Sequence, residues 1–404
     1  MKRYVFLSII ATLLILAGAT AAAAALPAFQ SARPVASFEG GSLYFSGRVP
    51  VLNLHGAYRQ MGRQYGHLVK DQLKELYRIA IDEYCIGEKG LSLKTLKSAA
   101  MGLFAYYPQR FKDIVYGMAE TSGLSLEQHI VLNGIELYGS LPGCSAIAAW
   151  SDYAEGGTLV FGRNYDWYKR YEDFAKYLTV TVFNAEGSIP TAIVTFAGVI
   201  YATTGMNAQG LFLELNNGFP SGGGLYHSNR VHAIANLLAF LFDCSTMDHL
   251  DAAFNSTRSN FAFIINVADS NGAWSYEWPP FDIRKRTGED KGLLVSTNHF
   301  VDAAWGIVLQ QNEGFKSALR RKHLLSLGNT HKGRLSCTAM MELLDIPIDK
   351  GGATWPAEDA IQTVYQVIAV PQDLKLWVKV PGFQNWTGVD LSALFKKTKN
   401  GVMN

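Results

Sequence analysis

The sequence has little net charge and few charged residues. Of its 404 residues only 17% are charged, and the formal net charge at pH 7 is +2. Lysines and arginines are interspersed with acidic residues, so no basic surface for a phosphate backbone is indicated. Nucleic acid is therefore not expected as a partner. The 49% hydrophobic content predicts a globular protein with a large core rather than a disordered chain.

Cysteine is also scarce. The four cysteines are Cys85, Cys144, Cys244 and Cys337. Their spacings fit no zinc motif, and they are few for an exported protein held together by disulfides. If one of them stays free as a nucleophile, at least one more is also unpaired. Cysteine is therefore not expected to form the scaffold of this protein.

Several catalytic and cofactor motifs are missing. The nine histidines show neither His-x-His nor His-Glu-x-x-His spacing, so a metal site is not expected. The sequence also lacks a Gly-x-Ser-x-Gly elbow, a phosphate-binding loop and the dinucleotide-binding glycine pattern. These absences argue against serine hydrolases, nucleotide-binding proteins and NAD-dependent enzymes, and we expect no cofactor.

The first 25 residues differ from the rest of the chain. Lys2 and Arg3 precede an apolar stretch over residues 4–19, and a run of alanines ends at Ala25. This pattern is typical of a secretory signal with small residues at the cleavage site. An uncleaved anchor is the alternative, because the stretch approaches the roughly 20 residues of a membrane span. We expect cleavage, a secreted or periplasmic protein, and no stable membrane insertion after removal of residues 1–25.

The first third of the remaining chain is predicted to be mainly helical. Small residues dominate residues 26–47, which indicates a linker or an irregular edge. A short strand is predicted over residues 49–54. Hydrophobic periodicity predicts helices over residues 58–84, 93–105, 111–120 and 126–138.

From Gly143 onward, short apolar or alternating runs separated by turn residues indicate strands. The first strands, at 144–150, 158–163, 177–183, 191–197 and 211–215, are predicted to form one antiparallel sheet. Later strands are predicted at 261–267, 273–277, 293–296, 362–369 and 375–380, with helices at 229–242, 247–254, 313–327 and 336–344. Two groups of strands divided by helices favour an α+β fold, with two stacked antiparallel sheets and outer helices in a four-layer αββα sandwich.

Cys144 follows Gly143 at the start of a predicted strand. The predicted hairpin turn over residues 152–157 places Cys144 opposite Asn164, with Arg163 and Asp166 on the same partner strand. A nearby cation favours the thiolate, which is the nucleophilic form of cysteine. The alternative is a buried cysteine that acts as a small hydrophobic residue, beside an exposed ion pair of little consequence. Spacing alone leaves both interpretations open.

The motifs around Cys144 resemble those of the N-terminal-nucleophile cysteine amidases and acyltransferases. This family includes choloylglycine hydrolases, isopenicillin N acyltransferase-like proteins and acid-ceramidase-like amidases. Its motifs occur here in family order, over about 180 residues: a strand-opening cysteine, Arg-x-x-Asp at 163–166, Gly-Met-Asn-x-x-Gly-Leu at 205–211 leading to an Asn-Asn pair, Thr-Asn-His at 297–299 and Ser-x-x-Arg at 317–320. The segment 56–66 resembles the glycine-spaced start of a helix in acyltransferase-type members.

The resemblance implies that the chain cuts itself between Gly143 and Cys144. The N-terminal-nucleophile sandwich would then comprise residues 144–404, and residues 26–143 would form a helical pro-segment that stays as a partner fragment. Cleavage would free the α-amino group of Cys144, and α-amino groups in model compounds have a pKa near 8. It can therefore act as the base for its own thiol, and no catalytic histidine is needed.

The resemblance also implies roles for the remaining site residues. Asp166 would hold the ammonium group, while Arg163 would support the thiolate. Asn298 would orient the amine or the tetrahedral intermediate. The other implied roles are oxyanion binding by Asn216 or Asn217 with a backbone N–H, and completion of the polar cluster by Arg320 with Arg321 as the alternative. Independently of the resemblance, Tyr165 and Trp167 are predicted to bind substrate, with a role in the core as the alternative for aromatic residues at strand spacing.

The predicted activity is hydrolysis of a linear amide, with release of an acid and an amine through a thioester on Cys144. The predicted substrate is a small N-acyl amide whose two halves the sequence does not identify. One alternative is acyl transfer, in which a second amine resolves the thioester. Another is an inactive relative that serves as a binding or surface protein. The intact set of Cys144, Arg163, Asp166 and Asn298 favours an enzyme, since a binding surface has no chemical need for it.

Overall fold

The structure, a computed structural model, describes residues 26–138, 143–308 and 315–396. The predicted signal segment 1–25 lies outside the described residues. Within the described ranges, no helix combines the length and apolar character that crossing a bilayer requires.

The described strands form two sheets, one of ten strands and one of six. In chain order they are β1 (Ala36–Phe38), β2 (Gly41–Ser46), β3 (Val49–Gly56), β4 (Ser145–Ala149), β5 (Val160–Tyr168), β6 (Leu178–Ala185), β7 (Thr191–Phe196), β8 (Thr204–Asn207), β9 (Phe212–Asn217), β10 (Phe263–Ala268), β11 (Ala273–Trp278), β12 (Arg284–Arg286), β13 (Leu293–Ser296), β14 (Ile361–Val370), β15 (Lys375–Val380) and β16 (Gln384–Asp390).

The α-helices lie mainly on the outer faces of these sheets. They are α1 (Tyr58–Leu68), α2 (Lys70–Tyr77), α3 (Leu93–Ala105), α4 (Gln109–Thr121), α5 (Leu126–Leu132), α6 (Tyr171–Ala175), α7 (Phe219–Gly222), α8 (Ala233–Asp243), α9 (Met247–Ser256), α10 (Ser317–Thr330) and α11 (Cys337–Leu344). A π-helical segment over Arg78–Glu88 continues α2. The long helix predicted over 58–84 is therefore divided into three parts, with Val69 at φ −128° between α1 and α2.

The larger sheet has the order β1-β2-β3-β6-β7-β8-β9-β10-β11-β12. Its neighbours pair antiparallel except β3 and β6, which pair in parallel. The prediction of a linker or irregular edge over residues 26–47 is wrong for 36–46, because β1 and β2 extend this sheet beyond β3. The segment before Cys144 thus supplies three strands as well as helices.

The smaller sheet has the order β13-β4-β5-β14-β15-β16, and it stacks on the larger one. Phe161 of β5 and Phe212 of β9 meet between the sheets, with ring centroids 4.9 Å apart. Helices α10 and α11 pack on the smaller sheet, while α1 and α8 pack on the larger. The predicted α+β fold class, with stacked sheets between helices, is confirmed.

The prediction that the first five strands after Gly143 share one sheet is wrong. β4 and β5 belong to the smaller sheet, whereas β6 to β9 belong to the larger one. The chain passes between the sheets at α6, and β5 then pairs with the distant β14. Alternating hydrophobicity identifies a strand but is the same for strands of either sheet. The assignment of strands to the two sheets depends on pairing between distant segments, which the sequence pattern does not reveal.

Glycines allow the segment before Cys144 to pack closely on itself. A side chain at Gly62 in α1 would meet the main-chain oxygen of Ile114 at 2.0 Å, and one at Gly117 in α4 would meet that of Arg59 at 2.1 Å. The glycine spacing in segment 56–66 thus serves a helix contact. A single hydrophobic core includes residues on both sides of Cys144, such as Met61 and Val180.

Candidate active site

Cys144 lies directly before β4 and its side chain is only 3% exposed. The β4–β5 register places Ser145 opposite Asn164 and Ala146 opposite Arg163. The predicted hairpin is therefore correct, but Cys144 is one position beyond the predicted pairing with Asn164. Because alternate residues of paired strands share a face, Arg163 lies on the same face as the cysteine.

Arg163 is fully buried between the two sheets. Its Nη2 lies 3.8 Å from the sulfur of Cys144 and donates to the main-chain oxygen of Leu215 at 2.8 Å. Its Nη1 donates to the main-chain oxygen of Thr203, and its Nε forms an ion pair of 3.1 Å with Glu214. The alternative of an exposed ion pair at a sheet edge is excluded for this arginine.

The electrostatic environment of the thiol reflects opposing influences. Burial raises the pKa of Cys144 to about 11, which is the dominant effect. Arg163 lowers that pKa, whereas the carboxylates of Asp166 and Glu214 raise it. Arg163 therefore lowers the pKa of the thiol, as predicted, but the effect of burial is larger.

Arg320 of α10 connects Cys144 with two other predicted site residues. Its Nη1 donates to the main-chain oxygen of Cys144 at 2.8 Å and lies 3.3 Å from a carboxylate oxygen of Asp166. Its Nη2 donates to the side-chain oxygen of Asn298 at 2.5 Å. Arg321 instead pairs with Glu289. Of the two adjacent arginines, Arg320 is therefore the one that contacts the other predicted site residues.

Asp166 is fully buried on β5. Its second oxygen accepts a hydrogen bond of 2.7 Å from the hydroxyl of Thr363 on β14. Burial raises the pKa of Asp166 to about 7, against the lowering effect of Arg320 and Thr363. A carboxyl group with its pKa near neutrality beside a buried thiol is typical of functional sites.

Gly143 fits against this polar cluster because it has no side chain. A Cβ atom there would lie 2.6 Å from Nη2 of Arg320 and 2.8 Å from Oδ1 of Asn298. Both distances are too short for a real contact, so a larger residue would displace these groups. The peptide bond before Cys144 therefore lies directly beside Arg320 and Asn298.

The two candidate oxyanion asparagines occupy different environments. Asn216 donates to the hydroxyl of Ser296 at 3.5 Å and lines neither of the two cavities near the site. Asn217 lines both cavities, and its main-chain oxygen accepts a 2.9 Å hydrogen bond from the side chain of Asn298. The geometry therefore favours Asn217 as the side chain that faces a substrate.

Two adjoining cavities lead to Cys144. The large cavity has a volume of about 770 Å³. The annex has a volume of about 30 Å³ and includes Cys144 in its wall. Most side chains around the large cavity are apolar or aromatic, including Leu103, Tyr106, Leu137, Phe219, Phe261 and Phe263. Four residues, Leu137, Asn217, His232 and Phe263, line both spaces.

The two predicted substrate-binding aromatics lie in the wall of the annex. Tyr165 and Trp167 both line it beside Cys144, and their rings stack with centroids 5.6 Å apart. The guanidinium carbon of Arg163 lies 5.1 Å from the centre of the Tyr165 ring. These aromatics therefore shape the space in front of the sulfur.

Sequence reasoning missed several polar residues of the site. Glu214 stands among leucines in a predicted strand, and a lone carboxylate in such an apolar run was the available signal. Glu136, between Ile135 and Leu137, carries the same signal. Thr363 offered none, because threonine is common in strands. Among the described residues, no group of three or more histidine, cysteine or acidic side chains could hold a metal ion.

No family model matches the sequence. A curated relative, protein dcd1B of Dictyostelium discoideum, is 25% identical over 269 residues, which cover 59% of this chain and 53% of that protein. The chain thus spans about half the length of the curated relative that it matches.

Three solved structures are similar to the chain, each with a TM-score below 0.5. An N-acylethanolamine-hydrolyzing acid amidase ortholog of Caenorhabditis elegans is 20% identical with a TM-score of 0.41, covering 56% of this chain and 93% of that one. A conjugated bile acid hydrolase of Clostridium perfringens is 12% identical with a TM-score of 0.46, and the match covers 64% of this chain and 98% of that one. A penicillin V acylase of Agrobacterium tumefaciens is 13% identical with a TM-score of 0.42, and the match covers 63% of this chain and 89% of that one.

Proposed function

We propose that this chain is an N-terminal-nucleophile hydrolase of linear amide bonds, with Cys144 as its nucleophile. The convergence of two buried arginines on this one residue carries the proposal. Arg163 approaches the sulfur and Arg320 binds the main-chain oxygen. Burying guanidinium groups and carboxylates is costly. Strongly perturbed ionisable groups around a nucleophile beside a cavity are typical of an active site.

The first reaction in this proposal is self-cleavage. The sulfur of Cys144 attacks the carbonyl carbon of Gly143, a C–S bond forms, and the peptide C–N bond breaks after its nitrogen takes up a proton. Water then hydrolyses the thioester, which leaves a carboxylate on Gly143 and restores the thiol. The new α-amino group lies in the cluster formed by Arg320, Asp166 and Asn298 around the former peptide bond.

The same atoms then act on a substrate amide. The α-amino group takes the thiol proton as the sulfur attacks the substrate carbonyl, and it returns a proton to the departing amine. The side chain of Asn217 would stabilise the oxyanion. Water, deprotonated by the same amino group, releases the acid from the thioester. Asp166 holds the ammonium form in place, and Arg320 favours the ionised form of that carboxyl group by lowering its pKa against the effect of burial.

The cavity supports a substrate with an apolar acyl group. The large cavity joins the annex in front of Cys144, and its wall is mostly apolar. Burial of an apolar chain contributes about 25 cal/mol per Å² of surface removed from water. A small-molecule N-acyl amide with a hydrocarbon or aromatic acyl group is therefore the proposed substrate.

Export and retention of the N-terminal fragment belong to the same proposal. Residues 1–25 have the pattern of a secretory signal, which would direct the protein to the periplasm or the exterior. Residues 26–138 supply β1 to β3 of the larger sheet and share its core. We expect this fragment to remain bound after cleavage, because separation would expose that core to water.

The test is to isolate the protein and determine its fragments and activity together. We expect two fragments that co-purify, the larger beginning at Cys144, and release of free amine from a panel of N-acyl amides. Cys144→Ala should remain uncut and inactive. Cys337→Ala, which changes a half-buried cysteine on α11, is the matched control and should behave as the wild type. A single uncut chain with full activity would contradict the self-cleavage step.

A further inference from the structure

Glu136 is a buried carboxyl group in the wall of the annex. It lies on a 3-10 helix over Ile135–Leu137 and is 3% exposed. Its Oε1 accepts a hydrogen bond from the hydroxyl of Tyr165. Burial raises the pKa of Glu136. The proposed reaction uses none of its atoms, although the group lines the same small space as Cys144.

Two polar atoms from residues of the annex wall lack partners. Oε2 of Glu136 and the hydroxyl of Thr203 make no hydrogen bond within the described part of the chain. The hydroxyl of Tyr201 lies near the carboxyl of Glu136 and lowers its pKa, and the hydroxyl of Tyr365 lies near Thr203, but neither approach has the geometry of a full hydrogen bond. Buried polar atoms are almost always satisfied by protein, water or ligand. These atoms therefore point to a polar guest in the annex.

We propose that Glu136 and Thr203 bind a hydroxyl substituent on the acyl group of the substrate, near the scissile carbonyl. The inference rests on the proposed amide hydrolysis and specifies its substrate. A hydroxyl both donates and accepts, so it can bond to the carboxyl group in either protonation state and to threonine. The annex volume of about 30 Å³ suits one group of this size, since a water molecule needs about 10–15 Å³ by this measure.

An ammonium group fits the annex less well than a hydroxyl. The guanidinium of Arg163 lies against the Tyr165 ring and would repel a second cation. Leu215, Ile234 and Phe263 form much of the remaining wall, so an ion would lose its hydration without full compensation. Glu136, Thr203 and Cys144 line the same annex. Because the acyl carbonyl carbon becomes bonded to the Cys144 sulfur, a hydroxyl bound by Glu136 and Thr203 must lie near that carbonyl.

The test compares matched N-acyl amides that differ by one hydroxyl at the second or third carbon of the acyl chain. We expect the wild type to show kcat/KM about tenfold higher for one hydroxylated isomer, as for one buried hydrogen bond. This ratio should fall to about one in Glu136→Leu and be reduced in Thr203→Val. Thr203→Val keeps the shape of the side chain and removes only its hydroxyl, so it tests the same ratio should the leucine variant fail to fold. Glu277→Gln, another buried carboxyl, should keep the wild-type ratio.

A ratio that is the same in the wild type, Glu136→Leu and Thr203→Val would overturn the inference and leave only water or a structural role for this carboxyl. The inference would also be overturned if the enzyme distinguished only substrates with a hydroxyl on the amine half of the amide. Calorimetric binding of the same pairs to uncut Cys144→Ala separates the two proposals. If no amide is hydrolysed, the proposed function fails, and preferential binding of the hydroxylated compound still decides the role of Glu136.

Discussion

The guanidinium of Arg163 lies 3.8 Å from the sulfur of Cys144, and on its other edge it contacts Glu214 at 3.1 Å. The same cation thus faces a thiol and a carboxylate, both buried. Arg163 lowers the pKa of Cys144 and Glu214 raises it. Removal of Arg163 should therefore raise the pKa of the Cys144 thiol, and removal of Glu214 should lower it.

Replacing Arg163 should make the thiol less reactive. In Arg163→Ala we expect the pKa of Cys144 to rise and alkylation by iodoacetamide near neutral pH to slow about tenfold or more, since each pKa unit is tenfold in thiolate. The measurement is the rate of labelling of the Cys144 peptide against pH, by mass spectrometry. Arg163→Lys keeps a cation and should recover part of the rate. An unchanged pH profile in the alanine variant would mean that the guanidinium does not influence the sulfur.

Replacing Glu214 should have the opposite effect on the same measurement. Glu214→Gln keeps the side-chain shape but removes a negative charge, so the pKa of Cys144 should fall and labelling near neutral pH should quicken. The variant should also lose about 3–5 kcal/mol of unfolding free energy, because it leaves Arg163 without its buried partner. Urea denaturation measures this loss. Slower labelling in Glu214→Gln would contradict the opposing influences described for this site.

The absence of a side chain at Gly143 should be necessary for self-cleavage. Gly143→Ala would place a Cβ atom 2.6 Å from Arg320 and 2.8 Å from Asn298, and the displaced groups would no longer hold the peptide bond. We expect at least tenfold slower conversion of the chain into two fragments, followed by gel electrophoresis. Gly102→Ala is the control, because a Cβ atom there meets nothing within 4 Å. Equal cleavage rates in both variants would show that the close fit at Gly143 is unimportant.

The parts of the site that the sequence could predict are those set by local geometry. Arg163 and Asp166 follow from Cys144 through one hairpin, and the structure places that hairpin within one residue of the predicted register. Asn298 and Arg320 are far along the chain, and only the family resemblance indicated them. Their contact with Cys144 depends on how α10 packs against the smaller sheet, which hydrophobic periodicity does not determine.

The fold divides in the same way. Helix α3 has the predicted bounds of 93–105, because a serine cap and regular periodicity are local signals. The strands β1, β2, β8, β12 and β16 were missed. Most of these strands are short or lie near sheet edges, so little apolar alternation identifies them. Which sheet each strand joins is a matter of long-range pairing, as the division at α6 shows.

The asparagine pair at the end of β9 offers a direct comparison of neighbouring residues. Asn217→Ala should lower kcat about 10²–10³-fold, because loss of one oxyanion donor commonly has this effect, and its side chain lines the cavities at Cys144. Asn216→Ala loses a 3.5 Å hydrogen bond to Ser296 at a position outside both cavities, and it should keep kcat within about threefold. Steady-state kinetics on one N-acyl amide measures both. The reverse order of effects would assign the oxyanion role to Asn216.

The raised pKa of Asp166 should make its contribution to stability depend on pH in a defined direction. Its pKa is about 7 in the folded chain and about 3.9 when unfolded. Between these values the folded state holds a proton that the unfolded state lacks, so the contribution of this carboxyl is largest below pH 4 and declines as pH rises through 7.

Asp166→Asn removes this titration, so its unfolding free energy relative to the parent should increase from pH 4 to 7 and level off above that range. Urea denaturation of both proteins in the uncut Cys144→Ala form measures the difference. Glu214 also has a pKa of about 7, but it is present in both proteins, so its effect on stability cancels. A constant offset would mean that Asp166 is ionised throughout this range, with Arg320 outweighing the effect of burial, and it would contradict the raised pKa.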